Sequence, residues 1–221
     1  MNLDIGYIFE LLPLMVSSAK NTIIIAVCAL VLSLIIATML ALFVENRILI
    51  LCPFAKIYIS FFRGTPLLVQ LYLIYFGLPK AFPILMSMTA FTAIVVALSL
   101  NTAAYMAEII RGAITSVSKG QSEAGLSIGL SSFQVFRKII FPQAIRVAVP
   151  ALANCFVDLI KGSSMAFTIG VVELMSTANR EGGATYKFLE AFIAAALVYW
   201  TLVTFSNFVQ RRLEKYFNVA Y

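Results

Sequence analysis

Histidine is missing from this chain, and cysteine is scarce: Cys28, Cys52 and Cys155 stand singly in or beside apolar stretches. Their spacing matches no metal site or disulfide framework, which argues against zinc, haem and redox chemistry, and no cofactor is expected. Charge is scarce too, at 12% of residues. The phosphate-cradling pattern G-x-x-x-x-G-K-[ST] is absent, so any nucleotide work must fall to another polypeptide. No Lys or Arg precedes Lys20, while Asp4 and Glu10 are acidic, so the cationic start of a cleavable export signal is lacking and the N-terminus is expected to stay on the mature protein.

What the chain has in abundance is apolar surface. Its 221 residues are 62% hydrophobic, and mean hydropathy is +0.97. Such composition belongs to a lipid bilayer, and at about 20 residues per crossing the length allows at most about seven helical spans. No room remains for a soluble catalytic domain. The net charge of +6 sits mainly between apolar runs, as a topology signal and not as a nucleic-acid surface.

Apolar windows predict five spans: about Asn21 to Phe43, Ile57 to Leu78, Met86 to Ile110, Val147 to Val172 and Phe188 to Val209. The segment Ile5 to Val16 is short for a crossing, holds Pro13 and reads as a surface helix. Five spans put the termini on opposite sides. Arg47, Lys56, Arg111, Lys119, Arg137, Lys138, Arg146, Arg211, Arg212 and Lys215 share one side, against Lys20, Lys80, Arg180 and Lys187 on the other. Basic residues favour the cytoplasm, so the N-terminus is expected outside and the C-terminus inside.

The longest cytoplasmic connection then runs from about Arg111 to Arg146, and it carries two helix-start patterns. Ser118 with Gln121, and Ser131 with Gln134, each have capping-box spacing. They predict a helix from about Lys119 to Gly129, where glycine permits a turn, and another from Ser132 to Ile140, stopped by Pro142. Glu123, Ala124 and Gly125 combine a hydrogen-bond acceptor with small residues that admit a second backbone.

The string EAGLSIGLSSFQVFRKIIFP, Glu123 to Pro142, resembles the cytoplasmic EAA signature of permease subunits of binding-protein-dependent ABC importers. That signature runs EAA, three residues, G, nine residues, I, one residue, LP. Glu123, Ala124, Gly129, Ile139 and Pro142 keep its register, while Gly125 replaces the second alanine and Phe141 the leucine. FRGTPLLVQLY (Phe62 to Tyr72), NTAAYMAEIIRGAI (Asn101 to Ile114) and PALANCFVDLIKGSSMA (Pro150 to Ala166) resemble the polar-amino-acid branch of these permeases. The resemblance implies an all-α integral membrane protein of the type I importer fold, a single transmembrane domain over residues 1–221, with residues 117–142 as a coupling-helix loop. It also implies two cytoplasmic ATPase subunits, an external amino-acid-binding protein, and a second permease subunit, identical or a close paralogue. The chain itself is then no enzyme, and Glu123, Ala124, Gly125, Gly129 and Pro142 are its ATPase-coupling residues. GSSMAFTIGVVELM, Gly162 to Met175, is similar to permeases assigned to cystine or other polar amino acids.

Charges inside a span cost about 2.5 to 3.5 kcal/mol each and need partners or a wet cavity. Asp158 and Lys161 lie three apart on one face of span four, beside Gly162-Ser163-Ser164, which can loosen the helix. Two readings stand: the pair lines a route for a zwitterionic solute, with Asn154, Asn101, Ser163 and Ser164 as further pathway residues, or the two charges only satisfy each other. Arg63-Gly64-Thr65-Pro66 breaks span two, either lining a cavity or making a tolerated kink. Glu108 and Arg111 are expected to form a local ion pair. The alternative function is an ATP-independent channel or secondary carrier for small polar solutes, and a structural or sensory anchor is a further one.

Overall fold

The computed structural model describes residues 3–218, and among them every regular element is helical. The side chain of Lys215, counted above among the basic residues, lies outside the description. Helix α1 runs unbroken through Ile5–Glu45 with Pro13 inside it. At 41 residues it is about 60 Å long, twice the hydrocarbon thickness. The expected separate surface helix is therefore its first half. Ile8, Leu11, Met15 and Ala19 recur at helical spacing and pack with Leu174, Ala178, Ala191, Ala194, Ala195 and Val198, which holds that half in line.

The second half of α1 carries Ala29, Ser33, Ala37 and Ala41 at intervals of four, all buried. Small residues at this spacing let backbones approach closely, and they face α5 (Ala90–Thr115). The Ser33 hydroxyl donates to Ala29 O at 2.6 Å and that of Ser99 to Val95 O at 2.6 Å, so neither hydroxyl is left unsatisfied at the crossing. Ile25, Ala26, Leu71, Ile94, Leu98, Leu159 and Ile160 complete this main core.

Span two is α2 (Leu51–Gly64) and α3 (Leu67–Tyr72), the latter extended by a π turn at Leu73–Gly77 and by α4 (Leu78–Ala81). The two parts meet at 110°. Pro66, which lacks an N–H, and the extended Thr65 make the corner. Cys52 and Lys56 of α2 line one cavity with Arg111 and Thr115 of α5. Since α2 begins where α5 ends, the chain between them must reach the opposite end of the bundle, so the bent pair counts as a crossing.

A 3₁₀ turn at Pro83–Ser87 leads into α5, which starts and ends a few residues later than the sequence indicates. Then come α6 (Lys119–Ser127), α7 (Ser132–Val135), a π turn at Phe136–Ile140 and α8 (Phe141–Gly162). Pro142 does not stop this helix, contrary to expectation. The π turn absorbs it: the Phe141 N–H bonds back to Phe136 O, and Pro142, in the first turn of α8, has no N–H to lose. After Gly162 the backbone tightens to 3₁₀ at Ser163–Ile169, and α9 (Leu174–Thr185), which the sequence did not suggest, precedes α10 (Phe188–Asn218).

Candidate functional site

At the bundle end where α1 and α5 finish, α6 stands out as a short projecting helix. Gly129 ends it in the left-handed region at φ 85. The Gly129 N–H bonds Leu126 O at 3.0 Å and the Leu130 N–H bonds Gly125 O at 3.2 Å, a two-bond cap that favours glycine. Ser131 makes the predicted capping box with Gln134, but Ser118 makes no side-chain cap bond, so only one of the two boxes forms. Gly125 is buried against the π turn: a Cβ there would lie 2.8 Å from Ile139 Cδ1 and 2.9 Å from Val135 Cγ2. This contact accounts for glycine at the second alanine position of the pattern.

Glu123 and Ala124 are exposed. Around them Leu126, Ile128 and Phe133 are 49%, 76% and 70% exposed, an apolar rim that sequence reasoning missed because no periodic pattern marks it. A carboxylate with apolar flanks on a projecting helix has the composition of a docking knob.

The second group of candidates lies on α8. Lys161 Nζ is 2.8 Å from Asp158 Oδ1, and both side chains remain more than half exposed on this chain. Asn154, one turn before Asp158, is exposed and accepts from Gln210 Nε2 at 3.3 Å. The Ser164 hydroxyl donates to Lys161 O at 2.7 Å. Ser163 lies apart from this exposed face: it is fully buried within the chain and donates to Ile160 O at 2.8 Å.

Asn101 also stands apart, on α5 against the break in span two. Its Nδ2 donates to Phe62 O at 3.1 Å and to Gln70 Oε1 at 2.9 Å. Gln70 Nε2 reaches Phe62 O, Thr65 O and Thr65 Oγ1 within 3.1 Å. The two amides thus satisfy carbonyls that the 110° corner frees. Arg63 lies over the Tyr105 ring at 5.6 Å, and Glu108 pairs with Arg111 at 2.8 Å, as the i,i+3 spacing predicts.

At the opposite end Glu173, fully buried, accepts from Tyr199 Oη at 2.9 Å, from Thr22 Oγ1 at 3.4 Å and from the Ser176 N–H at 2.7 Å. It caps α9 and ties it to α1 and α10. Its side-chain partners are 151 and 26 residues away, so no local pattern marks the link between these elements.

A projecting helix in the EAA register, joined to five apolar crossings, decides the family. The family model of the binding-protein-dependent transport system inner membrane component matches residues 37–218. The chain belongs to that family. Its relatives include the "Probable amino-acid ABC transporter permease protein PatM" of Vibrio harveyi, 46% identical over 221 residues and covering 100% of this chain and 99% of that one. The "Probable amino-acid permease protein YxeN" of Bacillus subtilis is 42% identical over 219 residues, covering 99% and 98%. A crystal structure of an amino acid ABC transporter with histidines superposes with TM-score 0.90 at 35% identity, over 97% of this chain and 99% of that one. This inner membrane permease therefore has the type I ABC importer fold and is a non-catalytic subunit. Membership implies ATPase subunits and a substrate-binding protein as its partners.

Proposed function

We propose that the permease moves polar amino acids into the cell by alternating access, driven by two separate ATPase subunits that grip residues 117–142. The observation that carries this reading is the projecting α6, where exposed Glu123 is flanked by Leu126, Ile128 and Phe133. Glu123 and Ala124 meet the ATPase, while Gly125, Gly129 and Pro142 shape the helix that does so. The basic residues at this end support a cytoplasmic side for it and an external N-terminus, where a binding protein would deliver the solute. Closure of the ATPase dimer on ATP moves α6, and the connected π turn and α8 carry that motion to the crossings.

A second permease subunit completes the route, and the α8 face bearing Asn154, Asp158, Lys161 and Ser164 lines it. A zwitterionic amino acid presents an ammonium for Asp158 and a carboxylate for Lys161. Asn101 bears on the route indirectly, through the bent corner of span two. Cystine is one solute of this class. The test is to purify the complex with its ATPase and binding protein and measure which amino acids stimulate hydrolysis. Stimulation by polar amino acids supports the reading; uphill accumulation by the permease reconstituted without any ATPase overturns it.

A further inference from the structure

The corner between α1 and α2 holds a side chain where glycine is the easier choice. The Arg47 N–H bonds Val44 O at 3.3 Å and the Ile48 N–H bonds Phe43 O at 3.3 Å, the same two-bond cap that Gly129 makes on α6. Arg47 sits at φ 49, a left-handed conformation that strains any residue with a Cβ. Arg47 lines a cavity of about 730 Å³.

Glu45, Lys56, Glu108 and Arg111 also line this cavity. Glu108 and Arg111 occupy each other, whereas among the described residues neither Arg47 nor Lys56 makes an ion pair. Two unneutralised cations therefore share one wall with a single remaining carboxylate, Glu45. Next to them Leu49, Ile50, Phe54 and Ile57 are 89%, 78%, 62% and 69% exposed. On a membrane protein such side chains enter the acyl region, so the cavity opens at headgroup level.

We propose that Arg47 and Lys56 form a site for the phosphate of an anionic phospholipid, with its acyl chains over Leu49, Ile50, Phe54 and Ile57. The planar guanidinium takes the two non-bridging phosphate oxygens, and the ammonium shares one of them. Glu45 accepts from the hydroxyls of a glycerol headgroup, which makes phosphatidylglycerol the fitting occupant. The site requires neither ATP nor a transported solute, so it stands apart from the proposed transport function.

The full chain, reconstituted in phosphatidylcholine vesicles with trace spin-labelled phosphatidylglycerol or phosphatidylcholine, tests this by electron paramagnetic resonance. Arg47→Gly and Lys56→Gln are each expected to lower the preference for phosphatidylglycerol about fivefold. Arg47→Gly relieves backbone strain, so its loss of lipid cannot be laid to unfolding. Lys138→Gln, on the same face but outside the cavity, is expected to change it little. Excess inorganic phosphate or free amino acid is expected to displace no labelled lipid. An unchanged preference in both cavity variants overturns the site, and so does an equal loss in Lys138→Gln. Displacement by phosphate or by an amino acid assigns the cavity to a soluble ligand and overturns the lipid.

Discussion

The amide of Asn101 on α5 donates to Gln70 on α3 at 2.9 Å, and both reach the Phe62 carbonyl at the end of α2. The buried Gln70 and the half-buried Asn101 thus hold the bent crossing against its neighbour. Gln70→Leu keeps the volume but strips partners from Asn101 Nδ2, Thr65 O and Phe62 O. The expected loss is about 1 to 3 kcal/mol of stability, read as a lower thermal midpoint of the purified permease. An unchanged midpoint means that water or lipid satisfies these groups and the latch is dispensable.

Glu123→Arg reverses the charge on the exposed side of α6 without touching the packed Gly125. Membrane insertion and yield are expected to equal those of the parent, while uptake by the reconstituted complex falls at least about tenfold, equivalent to losing one charge-assisted contact. ATP hydrolysis should lose its stimulation by loaded binding protein. Normal coupled transport in this variant removes α6 from the ATPase interface.

Asp158 and Lys161 separate two roles by a double-mutant comparison. If they only neutralise each other, Lys161→Met is harmful and Asp158→Asn with Lys161→Met restores uptake, because no charge is left unpaired. If they line the route, the double variant remains as poor in uptake as Lys161→Met, with assembly intact. Solute uptake and subunit co-purification together read the difference.

The N-terminal ends of α1 and α10 meet through Asp4 and Lys187, 2.7 Å apart. The Lys187 ammonium, with help from the Tyr7 N–H, holds the Asp4 carboxyl below the usual carboxylate range, and Asp4 in turn raises Lys187. Asp4 is lowered by folding, so its contribution is complete above the ordinary carboxylate range and fades as pH falls through its lowered value. Lys187 is raised, so its contribution is complete below the ordinary lysine range and fades as pH rises through its raised value. The pair is thus expected to hold from about pH 4 to about pH 10. Asp4→Asn should move the Lys187 titration, followed by ¹⁵N NMR of its Nζ, down toward an ordinary lysine. A midpoint that stays put means the contact is not kept in solution.

Much of this was readable from one dimension. Twenty-residue apolar runs announce crossings because lipid leaves a backbone no other partner, and the i,i+3 pairs Glu108–Arg111 and Asp158–Lys161 follow from helical geometry alone. Ser131 and Gln134 likewise announce α7 through bonds within four residues. Where a feature depends on its own neighbours in the chain, composition and spacing determine it. The 110° corner, the π turn that carries the chain past Pro142, the burial of Ser163 and the embrace of Glu173 by Thr22 and Tyr199 belong to a different class. Each requires atoms distant in sequence to arrive at one place, and only the packed arrangement of the crossings decides which of them meet.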